Sequence, residues 1–322
     1  MFGFRPDGKL VKDIDPITKI VPYIMSTRND ACNLTKADIV CDTMDEWIRK
    51  QREEKGISFN YMHLLIAAGL RAIALKPRLN RFVVNGRIYQ RHGLYLSITL
   101  KESLKEDAPD ITIKIRFTGQ ESVYDVKEKL DTEMKKAFEE SKNNSTTKAA
   151  KILTFVPAFL IKLGVGFVKL LDRWGLIPNS ILNVSPFHTT VYLTNLKSIK
   201  GETIYHHLYN FGTTGLFIAM GKEQMRPMVN IDEKIEAKKV LTLGFTTDER
   251  FCDGFYFMKA LRLIKGFMAD PSKMEERVDV EPFESKRERK KRLKAIAKAQ
   301  KLEQKAKNSK NKKGKKNKKD AK

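Results

Sequence analysis

The run LTLGFTTDERFCDGFYFMKALRLIKGFMADP, residues 241–271, places Asp248, Glu249, Arg250, Cys252 and Asp253 within one short stretch. Apolar residues precede them and an apolar-periodic run follows, so the segment reads as strand, sharp turn and amphipathic helix. Carboxylates, a guanidinium and a thiol thus stand together on one turn. An ordinary Glu, with a pKa of about 4.3, needs burial to approach the range near 6.5 where imidazole works. The chain has five histidines, His63, His92, His188 and the adjacent pair His206-His207. One ring of such a pair commonly faces the core and the other solvent. Cys252 reads as a small buried residue at a strand–helix junction rather than a thiol nucleophile. Gly221-Lys222 lacks the glycine spacing and the following Ser/Thr of a phosphate loop.

These residues must be positioned by a mixed α/β body. KADIVC (36–41) reads as a strand, followed by Asp42 and Thr43 as helix caps and an amphipathic helix that Gly56 ends. A more apolar helix, NYMHLLIAAGLRAIAL, stops before Pro77, and its small residues Ala67, Ala68, Gly69 and Ala72 predict close packing at the centre. Strands are expected at 81–84, 87–90 after the turn NG, 94–100, 110–117, 190–194, 216–220 and 240–246. Helices are expected at 122–140, 203–209 and 255–268.

A polar loop is expected at 141–148, ahead of the apolar window ILTFVPAFLIKLGVGFVKLL (152–171). Its length would span a bilayer, but Pro157, Gly164, Gly166, Lys162 and Lys169 interrupt it. Three readings stay open: short helices on the body or lining a channel, a helix lying at a membrane surface, or a spanning helix. The 322-residue chain carries +23, yet residues 285–322 hold 19 Lys+Arg against 3 Asp+Glu, a net +16 that leaves +7 for residues 1–284. At 41% hydrophobic the body can build a core, so wholesale disorder is excluded. Three cysteines without CxxC spacing argue against a disulfide framework or a zinc site and for a reducing compartment. No apolar signal region opens the sequence, and the expectation is a cytoplasmic location, with a position peripheral to the membrane as the alternative.

The turn DERFCDG resembles the signature D-H-R-x-x-D-G of the catalytic domain of 2-oxo-acid dehydrogenase acyltransferases, a family that shares its fold with chloramphenicol acetyltransferase. Residues 42–100 are similar to that family's N-terminal half, with Pro77, Leu79 and Asn80 in the place of its P-x-L-N element. PFHTTVYLTNLKSI…FGTTGLFIAMGK (186–222) is similar to its T-F-T-[IL]-[ST]-N strand and the Gly-ended strand that follows. The matches cover most of residues 15–275.

The resemblance implies a chloramphenicol acetyltransferase-like two-layer α/β sandwich over residues 1–284, with an apolar insertion at 150–178; composition separately predicts a Lys-rich tail at 285–322, helical over 286–307 and disordered over 308–322. It implies acyl transfer from a coenzyme A thioester and a homotrimer with active sites between subunits; the cysteine pattern separately leaves no metal expected. Such chemistry requires a base near neutrality and a donor for the tetrahedral oxyanion. By position, Thr194 would supply the oxyanion hydroxyl with Asn195 beside it. Asp253 and Gly254 would shape the turn next to Asp248, and Arg250 would pair with a carboxylate.

The base position departs from the pattern, because Glu249 stands where the family has His. Either a buried Glu249 is the base, or another group such as His206 or His207 is, or the fold is kept for binding or assembly without catalysis. The family's G-L-x-x-P-V element is also absent, and no lipoyl-bearing segment is expected in this chain. The tail, with lysines and no interleaved aromatics, would attract anionic membrane or nucleic acid only nonspecifically.

Overall fold

The computed structural model describes residues 5–101, 110–142, 156–230 and 232–319, with side chains described as far as residue 302. Of the expected loop at 141–148, all but Ser141 and Lys142 lies outside these residues, as does the start of the apolar window, 152–155. The chain divides into two units, Met1–Phe283 and Glu284–Lys322.

The first unit is mixed α/β. Its strands are β1 (Gly8–Leu10), β2 (Cys32–Val40), β3 (Arg81–Val84), β4 (Arg87–Arg91), β5 (Leu94–Lys101), β6 (Asp110–Phe117), β7 (Val191–Asn195), β8 (Leu216–Val229) and β9 (Ile235–Asp248). Its helices are α1 (Pro16–Ile24), α2 (Asp42–Lys55), α3 (Tyr61–Leu75), α4 (Val123–Lys142), α5 (Ala158–Trp174), α6 (Asn179–Val184) and α7 (Gly254–Ala269). A six-stranded mixed sheet runs in the order β2-β9-β8-β7-β5-β6, with β5, β7 and β8 mutually parallel and the other pairings antiparallel. A small sheet, β1-β4-β3, stands apart, its hairpin closed by Asn85 and Gly86, both at positive φ as a type I′ turn demands.

Helix α3 is the central helix that its small residues predict: all its residues but Arg71 and Leu75 are buried. Asn60 and His63 close its first turn reciprocally, each side chain bonding to the other residue's backbone N–H. Helices α2, α3, α4 and α7 share one apolar core with the sheet residues Ile98, Leu193, Ile218, Leu243 and Phe245.

Two local expectations are corrected. Residues 203–209 are not helical; they run as irregular chain along the sheet's other face. Thr203 donates its hydroxyl to the Ala219 carbonyl at 3.0 Å, and Leu208 packs with Tyr192 and Phe217. Gly221 and Gly244 permit this approach. A Cβ on Gly221 would sit 2.6 Å from the Thr203 nitrogen, and one on Gly244 would enter the Ile204 carbonyl oxygen. Strands β8 and β9 also extend well past their apolar stretches, as a paired hairpin whose far end is solvent-exposed.

The apolar window resolves into one continuous helix, α5, with Pro157 at its N-cap and no buried residue. It is neither a pair of helices nor packed into the core. Among the described residues no helix is long and apolar enough to cross a membrane. The second unit holds one helix, α8 (Lys286–Lys319), which opens with a capping box of Ser285 and Glu288.

Candidate active site

The turn after β9 is built on a buried ion pair. Asp248, fully buried, accepts from Arg250 Nε at 2.8 Å, Nη2 at 2.7 Å and backbone N at 3.2 Å. Arg28, arriving from the segment before β2, brings Nε to 3.6 Å from the same carboxylate and donates Nη1 to the Tyr209 carbonyl at 2.6 Å. Burial pushes the Arg28 pKa down, against the pull of Asp248. Asp253 caps α7 by accepting from the Tyr256 N–H at 2.8 Å, with Gly254 as the first helical residue. Cys252 is buried, and that burial, then Asp253 and Asp248, pushes its thiol up to about 12. It is therefore an inert structural residue.

These anchors present Glu249. Its backbone N–H donates to the Ala31 carbonyl at 2.9 Å, and its Oε2 accepts from Asn33 Nδ2 at 2.7 Å. The residue is half-buried rather than enclosed. It lines a cavity of about 310 Å³ together with Asp13, Asp15, Arg78, Arg81, Arg250 and Asp253. Arg78 and Arg81 are its two cationic residues outside the turn, and Asp13 and Asp15 its two carboxylates outside it.

Thr194 and Asn195 close β7 at the opposite end of the sheet. Thr194 pairs with Thr99 and Ala219, while Val191, at the other end of β7, is level with Leu216 and Thr247. Glu249 lies two residues beyond Thr247 in the direction away from Thr194. The two side chains are thus about 16 Å apart along the strands at ~3.3 Å per residue, and two strands apart across them. One chain does not bring Glu249 and Thr194 together. Asn195 Oδ1 is buried without a hydrogen-bond partner, and its Nδ2 approaches only the Met62 sulfur at 3.9 Å.

The histidine pair lies between these ends. His206 stacks on Phe217 at 3.9 Å between ring centroids, and Nδ1 approaches the His207 carbonyl at 2.7 Å. Burial lowers the His206 pKa. Neither ring lines the cavity beside Glu249. Among the described residues no group of three or more His, Cys, Asp or Glu could hold a metal ion.

Two partners of the site have no signature in the sequence. Arg28 is a single arginine in STRND, and Asn33 reaches Glu249 only because β2 pairs with β9 in a register that sets Cys32 opposite Asp248. A second buried network lies nearby, where Asp172 meets Arg5 Nη2 at 2.7 Å and His188 Nε2 at 3.5 Å. Burial alone would raise the Asp172 pKa, but His188 and Arg5 hold it down at about 2.

No family model matches the sequence, and no curated protein matches it. Solved structures similar to the chain include a probable dihydrolipoamide acetyltransferase from Listeria monocytogenes 4b F2365, at 16% identity and a TM-score of 0.49, covering 81% of this chain and 94% of that one. A chloramphenicol acetyltransferase is similar at 14% identity and a TM-score of 0.45, covering 81% and 99%. The truncated catalytic core of the 2-oxoacid dehydrogenase multienzyme complex from Thermoplasma acidophilum is similar at 13% identity and 0.45, covering 81% and 98%. The likeness lies in the course of the chain, not in its sequence.

Proposed function

We propose that the protein transfers an acyl group from a coenzyme A thioester, at a site that Glu249 of one chain shares with Thr194 and Asn195 of a second copy in a ring-shaped homotrimer. The observation that carries this reading is the presentation of Glu249. A buried ion pair fixes the turn on one side and an Asn33 hydrogen bond holds the carboxylate on the other, at a cavity that Arg78 and Arg81 also line. Arg78 and Arg81 suit the phosphates of coenzyme A.

In the proposed step the acceptor X–H attacks the thioester carbonyl and gives its proton to Glu249 as the C–X bond forms. The Thr194 hydroxyl donates to the oxyanion. The C–S bond then breaks and the coenzyme A thiolate leaves, taking up the proton. The unpartnered Oδ1 of Asn195 is an acceptor beside Thr194 that a bound group or a second chain would satisfy.

A second reading, a binding or assembly module that keeps the fold without catalysis, is favoured by two features: a carboxylate stands where imidazole would serve better, and the site residues do not meet in one chain. Release of free thiol from short- and long-chain acyl-CoAs, measured for wild type, Glu249→Gln and Thr194→Ala, separates them. Loss in both variants supports the site. Equal rates in all three refute it and leave the binding module.

A further inference from the structure

We propose that α5 is a membrane-docking helix that lies flat in the interface of an anionic bilayer. The proposal is independent of the catalytic reading. Phe159, Leu163, Phe167, Leu170 and Trp174 recur every three or four residues and form one continuous stripe; each is at least half exposed, from 50% to 68%. Leu176, also 68% exposed, continues it past the helix end. At 1.5 Å per residue the helix is about 26 Å long.

The charges specify the partner. Lys162, Lys169 and Arg173 fall together along one flank of this stripe. The only carboxylate on the helix, Asp172, is turned inward, where Arg5 and His188 engage it. The exposed charge of α5 is therefore entirely positive. Protein interfaces deplete lysine from their buried core. A bilayer instead accepts apolar side chains below the headgroups while lysine and arginine stems reach up to phosphate. Residues 158–167 are exposed on every side, and a Cβ added to Gly164 or Gly166 would meet nothing within 4 Å. This half of the helix projects from the body, free to lie against a flat surface.

The chain supplies its own probe. It has two tryptophans; Trp47 is 7% exposed and donates to Glu275, whereas Trp174 is 56% exposed on the stripe. Wild type mixed with vesicles of equal phosphatidylglycerol and phosphatidylcholine should show a blue shift of Trp174 emission, weakened by salt and absent with phosphatidylcholine alone. The charge-neutral double variant Leu163→Ser/Phe167→Ser removes two inserted side chains. Its partitioning, read by the same shift, should weaken at least about tenfold with an unchanged circular dichroism spectrum.

Three results overturn the proposal. One is sedimentation of wild type with anionic vesicles without a Trp174 shift, which assigns binding to the basic tail. Another is an unaltered shift in the double variant. The third is a wild-type oligomer in light scattering that the double variant dissociates without lipid, which would make the stripe a contact between copies.

Discussion

Asp248→Asn tests whether the turn that carries Glu249 is held by charge. The substitution keeps the shape of the side chain and one acceptor oxygen. It removes the only carboxylate that Arg250 and Arg28 share, at a position with no solvent exposure. Two guanidinium groups are then left buried without their counter-charge, and Arg28 Nε already lacks a hydrogen-bond partner. Removing one member of a buried ion pair costs about 3–5 kcal/mol. At about 2–4 °C per kcal/mol for a body of this size, the melting temperature should fall by about 10 °C. Urea unfolding followed by circular dichroism should give the same loss with an unchanged m-value. Arg250→Gln alone should cost less, because it leaves Asp248 with Arg28. The double variant should cost less than the sum of the two single variants by at least about 1 kcal/mol. A loss below about 1 kcal/mol for Asp248→Asn, or strict additivity, would refute the pair as the anchor of the turn.

Gly244→Ala should detach residues 202–209 from the sheet, since the added methyl enters the Ile204 carbonyl; faster proteolysis of that segment is the readout, and unchanged protection counts against the close approach. Burial, then Arg91, lowers Lys114 from 10.5 to about 7. Between about pH 7 and 10.5 the unfolded chain holds a proton that the folded one has released, so stability should rise with pH across that window. Lys114→Met should flatten the rise, and an identical slope in the variant would remove Lys114 as its source. Asp172, held at about 2 by His188 and Arg5 against the effect of its burial, should contribute stability that is lost as pH falls from about 4 toward 2. Asp172→Asn should remove that acid-side loss.

Helices α2, α3, α4 and α7 and the core strands were legible because local chemistry decides them: Gly56 at the end of α2, the run of small residues in α3 and the NG turn each act over a few positions, whereas α1 and α6 are not among the expected helices. Residues 203–209 were not. Their periodicity suits a helix, but Gly221 and Gly244 open the sheet face to extended chain, and those glycines lie outside the segment. The polar ends of β8 and β9 are strand because each supplies the other's hydrogen bonds, which no apolar pattern announces. Within the site, the turn from Asp248 to Gly254 was legible as a unit. Arg28 and Asn33 were not, since both arrive through pairings across more than two hundred residues. The exposure of α5 also depends on which surfaces remain once the core is filled, and composition does not carry that.

The separation of Glu249 from Thr194 within one chain has a quantitative consequence for the proposed ring. Each site would take Glu249 from one chain and Thr194 from its neighbour, the head-to-tail contact that closes a threefold ring. In an equal mixture of Glu249→Gln and Thr194→Ala chains, a site is intact only where a Thr194→Ala chain contributes Glu249 and a Glu249→Gln chain contributes Thr194. Random assembly gives that arrangement at about a quarter of sites. Two inactive variants, unfolded together and refolded, should therefore recover about a quarter of wild-type thiol release. Refolded separately and then mixed without exchange, they should recover none. If both residues acted within a single chain, no mixture would regain activity. Co-refolded variants that form mixed trimers yet stay inactive would thus refute the shared site while leaving the fold untouched.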